Sequence, residues 1–388
     1  MSSKTRRVVL WISAPVVIFA IVGGFLSRVT AREDTYQHLR IFDDVMDLIN
    51  SNYVEKVDVD KVMDGAMSGL ADSLDPDSAF LSPAEVKQIE SNAALPPGDV
   101  GIDLTRQFYL RIVATRDGSP AAKAGLRTGD YVRAINETPT RAMSVLQGAR
   151  LLRGTAGSKV KLTVFRGNSN DPHVVELTRE VPPASDVTGR MAAPGIGYVR
   201  IAAIAGRTPE QTRAQVADLA KAGAASLIVD VRRTSGGSLE LGLNLARLFV
   251  GRGTLAQKET KGAPIETIAA RAGDGGISLP MTLLVDTGTS GAAELFASAL
   301  VGNQRAEIIG EHTIGRAGTQ KLIKLPDGSG IWLTTTRYLT PAGAPLHERG
   351  LEPSVAVDEP DVDFGQPPPT TDPILDKALE RIGQKKAA

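Results

Sequence analysis

The sequence predicts a multidomain α/β protein whose core is a largely parallel sheet flanked by helices. Three observations carry that prediction. Short apolar runs alternate with helical repeats between Ile196 and Leu300, the pattern of right-handed βαβ crossovers. At 388 residues the chain is long enough for two or three domains and a sizeable core. Aromatic residues make up only 4% of it against 39 glycines, a balance that suits tight packing and sharp turns better than an aromatic-lined ligand barrel. Charge narrows the function: 44 Lys+Arg against 44 Asp+Glu gives a formal net charge of zero, with no sign of a nucleic-acid partner. The absence of cysteine excludes disulfides and thiol catalysis and suits an oxidising compartment. His38, His173, His312 and His347 lack metal-ligand spacing, so neither a metal nor a cofactor is expected.

Residues 1–31 read as a cytoplasmic stub and a transmembrane anchor or signal segment. Lys4, Arg6 and Arg7 precede an uncharged stretch from Val8 to Leu26, just long enough to cross a hydrocarbon core with its N-terminus in the cytoplasm. Val29-Thr30-Ala31 would serve as a cleavage site in the competing, signal-peptide reading. Residues 32–97 read as a helical module, with apolar spacing at Leu39, Phe42, Val45, Met46 and Ile49, then Val62, Met67 and Leu70. The stretch Ser73-Leu74-Asp75-Pro76-Asp77-Ser78 breaks it, and Ser82-Pro83 starts the next helix with a serine cap and a proline at the first helical position.

Residues 98–181 read as a small β-rich domain. Tyr109 to Ala114 and Tyr131 to Ile135 are strands, Ser119-Pro120 opens a short helix that Gly125 closes, and Val160, Leu162 and Val164 alternate in a third strand. After Pro182-Pro183 the α/β core occupies residues 182–358. A strand from Ile196, a helix opened by Thr208-Pro209, a buried strand from Ser226 to Val231 and an amphipathic helix from Leu239 to Val250 follow in turn. Lys321 to Leu325 and Ile331 to Arg337 pair as a hairpin; residues 359–388 are a Pro-rich linker and a terminal helix.

One stretch concentrates the chemistry. The apolar run Met281 to Val285 ends at Asp286-Thr287-Gly288, and a helix follows with Glu294 in its first turn, on the favourable side of its dipole. A plain βα turn would look the same. Small hydroxyl residues at such a turn, Thr287, Thr289 and Ser290 beside Gly291, also suit a hydroxyl nucleophile with helix-start amides facing a developing oxyanion.

From Met281 to Pro353 the chain resembles the C-terminal processing peptidases, membrane-associated tail-specific proteases with a Ser-Lys dyad. Their S/T-A-S-A-S-E motif falls on Thr289-Ser290-Gly291-Ala292-Ala293-Glu294, and their G-E-x-T-x-G-K-x-x-x-Q motif on Gly310 to Gln320. The resemblance therefore puts Gly291 at the nucleophile position, Arg316 at the general-base position and Gln320 beside it. It extends to Ser119–Asp130, which resembles the PDZ signature, with Gly101, Ile102, Asp103 and Leu104 at the loop that captures a peptide's terminal carboxylate. Arg232-Arg233-Thr234-Ser235-Gly236-Gly237 resembles the family's R-N-N-P-G-G loop, which implies oxyanion donors at Gly236, Gly237 and Ala292, with Ser235 in place of the proline. The implied fold is an N-terminal transmembrane helix, a helical module, a PDZ domain and a crotonase/Clp-like α/β peptidase core.

Both dyad positions are substituted. Glycine has no group to attack with, and a guanidinium, protonated at all relevant pH, cannot accept a serine's proton. The resemblance thus implies a pseudoenzyme scaffold of the serine peptidase fold, bulk periplasmic on a bacterial inner membrane, or secreted there if the signal is cleaved. Its expected partners are protein or peptide C-termini, the membrane through the N-terminal helix, and an active relative or a second copy. Two alternatives stay open: a serine peptidase with a relocated nucleophile, Ser290 with His312 as base and Asp286 or Glu311 orienting it, and a structural role in which Arg316 pairs with Glu294. In the bland reading Ser290 caps the following helix.

Overall fold

The computed structural model describes residues 37–91, 93–167, 171–367 and 369–387. The chain divides into two compact units, Met1–Ala66 and Met67–Ala388. In the first, residues 37–52 form one helix and a second begins at Val59. The fold class expected from sequence is corrected here: among the described residues no helix is long and apolar enough to cross a membrane, and what they form is a mixed α/β fold. The uncharged stretch from Val8 to Leu26, on which that expectation rested, lies outside the described residues.

The core of the second unit is a six-stranded sheet. Its order is Val355–Ala356, Ala306–Gly310, Met281–Val285, Ser226–Asp230, Ile196–Ile201, Val187–Ala193, with the first five parallel and the last antiparallel. Alternate side chains of each central strand feed opposite faces. Leu227, Val229 and Leu283 join Phe296 and Leu243 on one face, whereas Ile228, Leu284 and Ile309 meet Ile374, Ala378 and Ile382 of the terminal helix Pro373–Ala387 on the other. Cover on both faces is why Met281–Val285 is buried throughout and apolar except for Thr282, as parallel strands are. The helix Ala292–Gly302 lies inside the larger cluster with every residue from Ala292 to Leu300 buried. The helix Leu239–Ala246 crosses close to it: a Cβ on Gly242 would stand 2.2 Å from the Ala292 carbonyl oxygen, so only glycine permits the contact.

A second sheet joins Ala79–Leu81, Gly330–Leu339, Thr254–Thr260 and Glu266–Ala269, and Gly318–Lys324 forms the expected hairpin with Gly330–Leu339. The strand Ala79–Leu81 departs from the helical reading of that stretch. It is fixed by pairing with Gly330–Trp332, some 250 residues on, which local periodicity cannot register. Ser82 caps the helix Pro83–Glu90 in a complete capping box with Glu85.

The third sheet runs Ile102–Gln107, Tyr109–Thr115, Tyr131–Ile135, Lys159–Phe165, His173–Thr178, so Ile102–Gln107 and His173–Thr178 are its edges. The helix Val145–Leu152 packs beside the first edge: a Cβ on Gly148 would touch Leu110 Cδ1 at 2.3 Å and Leu104 Cδ1 at 3.1 Å. Val100, Leu104, Leu110, Ile112, Val132, Leu162 and Leu177 form its core.

Candidate active site

The turn after Met281–Val285 is built by Asp286. Its Oδ1 accepts from Arg233 N at 2.7 Å, Gly288 N at 3.0 Å and Thr289 Oγ1 at 3.1 Å, which ties the turn to the neighbouring loop at Arg232–Gly237. Burial pushes this carboxyl up to about 6, against the pull of the Arg233 backbone and charge. Asp286 therefore braces two loops and does not orient His312. Glu311, the other candidate orienter, accepts from Thr287 N at 3.3 Å and Glu359 N at 2.8 Å.

Gly291 is the N-cap of the helix, with φ 61° and ψ −113°. That is a sharp strand-to-helix turn with positive φ, the kind of backbone that presents a nucleophile at the top of a sheet. A Cβ placed there would find only the Arg316 carbonyl oxygen, at 3.6 Å, so the position has room for a side chain. Ser290 is not the cap. It is 1% exposed, and its Oγ accepts from Ser235 Oγ at 3.2 Å, so it faces the loop that carries Gly236 and Gly237. Ser235, where the family pattern has proline, thus secures the loop by a hydroxyl pair.

Glu294 is fully buried and reaches back around the turn. Its Oε2 accepts from Gly291 N at 2.9 Å and Arg316 N at 2.7 Å; its Oε1 accepts from Gly315 N at 2.6 Å and Thr313 Oγ1 at 2.5 Å. Burial raises its pKa, opposed by those four donors. One carboxylate thereby fixes both dyad positions, the first through Gly291 N–H and the second through Arg316 N–H.

The sequence-based pairing of Arg316 with Glu294 is corrected at the side chain. The guanidinium makes a bidentate pair with Asp77, Nε to Oδ2 at 3.1 Å and Nη2 to Oδ1, and Nη1 donates to Leu104 O at 2.9 Å. Burial alone would lower its pKa, but Asp77, and behind it Asp103 and Glu294, raise it, so Arg316 stays charged. Asp77 was missed because it stands 239 residues away, in what reads from sequence as a turn. Gln320 does not reach Arg316 either; its Nε2 donates to Thr334 Oγ1 at 3.1 Å. His312 is half exposed and faces Glu352, Nε2 to Oε1 at 3.5 Å, and no hydrogen bond joins it to Ser290 among the described residues.

Gly236 and Gly237 both have φ of 78°, and a Cβ on Gly237 would fall 2.1 Å from Ile204 O. The loop is anchored beneath by Arg232, whose guanidinium binds Asp230 and reaches Asp372 at 2.8 Å and Glu359 at 3.1 Å. Tyr198 OH donates to Asp230 Oδ2 at 2.6 Å, and the Arg232 and Arg200 charges hold the Asp230 carboxyl far below the usual range despite its burial. Ala292, the first residue of the helix, has the N–H that helix geometry leaves without an intrahelical partner.

The β-rich domain closes against this site. Gly288 lies so near it that a Cβ would meet Thr128 Oγ1 at 2.8 Å and Val113 O at 2.9 Å. A Cβ on Gly236 would stand 3.4 Å from Asp103 Oδ1, and Arg200 binds Asp117 at 2.7 Å. Gly101, with φ of 75°, packs under Ser119, and Ile102 and Leu104 are buried while Asp103 is exposed.

Residues 195–357 match peptidase family S41, residues 111–166 match a PDZ domain, and residues 24–83 match the N-terminal domain of the activating protease CtpB. The carboxy-terminal processing protease CtpA of Bacillus subtilis is 31% identical over 316 residues, covering 81% of this chain and 67% of that one. The carboxyl-terminal-processing protease of Synechocystis is 30% identical over 315 residues, 79% of this chain and 74% of the relative. Among solved structures, the photosystem II D1 C-terminal processing protease superposes with a TM-score of 0.67 at 28% identity, covering 82% of this chain and 92% of that one.

Proposed function

Since this chain belongs to the carboxy-terminal processing proteases of peptidase family S41, we propose that it keeps the family's cleft and peptide-binding domain while lacking the family's hydrolysis. The observation that carries this reading is the state of the two dyad positions. Gly291 offers no nucleophile, and the guanidinium of Arg316 is charged and engaged by Asp77 and Leu104. A lysine acts as a base there only by losing its proton, which arginine does not do. Removing such a unit costs on the order of a millionfold in turnover. The remaining function is recognition: the PDZ domain adds a protein or peptide C-terminus to the edge strand Ile102–Gln107, with the amides at Gly101–Leu104 for its carboxylate.

Nothing favours the relocated nucleophile, because Ser290 is buried against Ser235 and the positive φ belongs to Gly291. The test is cleavage of an unstructured protein with an apolar C-terminus by the full chain, beside Ser290→Ala and the double restoration Gly291→Ser with Arg316→Lys. The expected outcome is an inert natural protein and a cutting double variant. Cleavage by the natural protein that disappears in Ser290→Ala would overturn the reading.

The compartment proposed is outside the cytoplasm, on the strength of the basic residues before the uncharged N-terminal stretch and the absence of cysteine. Fractionation of cells producing the full chain tests it.

A further inference from the structure

The edge strand of the PDZ domain is covered by a piece of its own chain. The end of the helix Val59–Asp72 and the turn after it lay two carboxylates along it. Asp72 Oδ1 accepts from Arg106 Nη1 at 2.6 Å, and two residues back along the strand the Asp77 carboxylate grips Arg316, whose Nη1 holds Leu104 O. Leu104 O belongs to the strand's outermost rank, where an added peptide strand would seek its main-chain acceptors. The position that the family motif gives to a catalytic base therefore reaches, in this chain, into the peptide groove.

The bidentate geometry at Arg316 is the one a planar guanidinium uses to recognise a carboxylate. It is a finished carboxylate site, and its present occupant is internal. Asp77 N–H donates to Asp75 Oδ1 at 2.9 Å; Asp72, Ser73, Leu74 and Pro76 around it are exposed, whereas Ser78 beside it is buried and accepts from Thr334 N at 3.1 Å. The turn itself is anchored, because Asp75 and Ser78 bond Thr334 and Ala79–Leu81 pairs with Gly330–Trp332, so release of Arg316 is a rotation of the Asp77 side chain and not withdrawal of the turn. Asp103, on the same strand, is another acid whose charge Arg316 feels, and without the guanidinium it would repel an incoming carboxylate.

Resting on the reading of this domain as a receptor for C-termini, we infer that Arg316 is a binding residue for the terminal carboxylate of a peptide or protein, and that Asp77 is a displaceable internal stand-in for that carboxylate. The substitution of arginine at this position then replaces a proton acceptor by an anion receptor. Arg106 and Asp72 form a second contact on the same edge that an added strand must displace.

The test is a binding titration of the full-length protein with a labelled octapeptide ending in an apolar residue, as a free acid and as its C-terminal amide. For the natural protein the acid should bind roughly tenfold or more tightly than the amide, the worth of a charge-assisted hydrogen bond. Asp77→Asn, which preserves shape while removing the competing charge, should tighten the acid about fivefold to tenfold and leave the amide unchanged. Arg316→Gln should abolish the preference for the acid, and Arg316→Lys, charged but not bidentate, should retain part of it. If the peptides bind and neither Asp77→Asn nor Arg316→Gln alters the preference, the inference is wrong while the receptor reading stands. If neither peptide binds to any variant, both fall. Because Asp77→Asn reads out as a gain, a loss of folding cannot imitate the expected result.

Discussion

The two dyad positions have been emptied in different ways. At Gly291 the side chain is gone and the frame is untouched: the backbone keeps its positive φ, Glu294 still holds the N–H, and a Cβ would meet nothing nearer than 3.6 Å. At Arg316 the backbone is held by the same Glu294, but the side chain has been rebuilt into three contacts with Asp77 and Leu104. One change subtracts and the other adds. A subtraction leaves a site that can be refilled, whereas an added guanidinium has become part of how the PDZ domain and the turn at Asp77 meet the core.

That comparison can be broken at its shared element first. Glu294→Ala strips the acceptor from Thr313 and from three backbone N–H groups in a site without water access, and should cost about 3–5 kcal/mol in a urea titration. Glu294→Gln, which keeps one carbonyl acceptor, should cost less. If the alanine variant is as stable as the natural protein, Glu294 is not what fixes both positions.

Next comes the rebuilt side. Arg316→Ala strands a mostly buried Asp77 and should destabilise by about 3 kcal/mol, with Arg316→Lys at about 1 kcal/mol because an ammonium still reaches the carboxylate. Equal effects would mean that the fork geometry contributes nothing.

The brace under the turn sharpens the comparison through pH. Asp286 has its pKa raised from 3.8 to about 6, so the native state binds this proton more tightly than the unfolded chain does. The associated stability is complete below about pH 3.8 and is lost as pH rises through about 6, a difference of roughly 3 kcal/mol. Asp286→Asn should flatten the stability profile across that window while other carboxylates keep their own slopes. An unchanged profile would show that this carboxyl titrates normally.

The smallest effect belongs to the emptied side. Gly291→Ala should cost only about 1–3 kcal/mol, the strain of a side chain at φ 61°, since no atom stands in the way. A much larger loss would mean that the frame there has closed and that a serine could not be restored.

Much of this was legible in the residues themselves. The strand Tyr131–Ile135, the cap at Ser82, the hairpin before Leu339 and the βα turn at Asp286 follow from local alternation and turn chemistry, which act over a few residues. The substitutions at Gly291 and Arg316 were visible because motif spacing survives when its chemistry does not. The expected transmembrane helix has no counterpart among the described residues, where every helix is too short or too polar to cross a bilayer. What pairs with Arg316 was beyond the sequence, which offered Glu294, nearer along the chain and on the adjoining helix. Glu294 took the backbone of Arg316 instead, because four short-range donors converge on it. The guanidinium went to Asp77, placed by the pairing of Ala79–Leu81 with Gly330–Trp332, and to a carbonyl of another domain's edge strand, partners that only tertiary packing brings within reach. Local order is set by neighbours in the chain, and the electrostatic partner of a long flexible cation by whichever acceptor packing leaves uncovered.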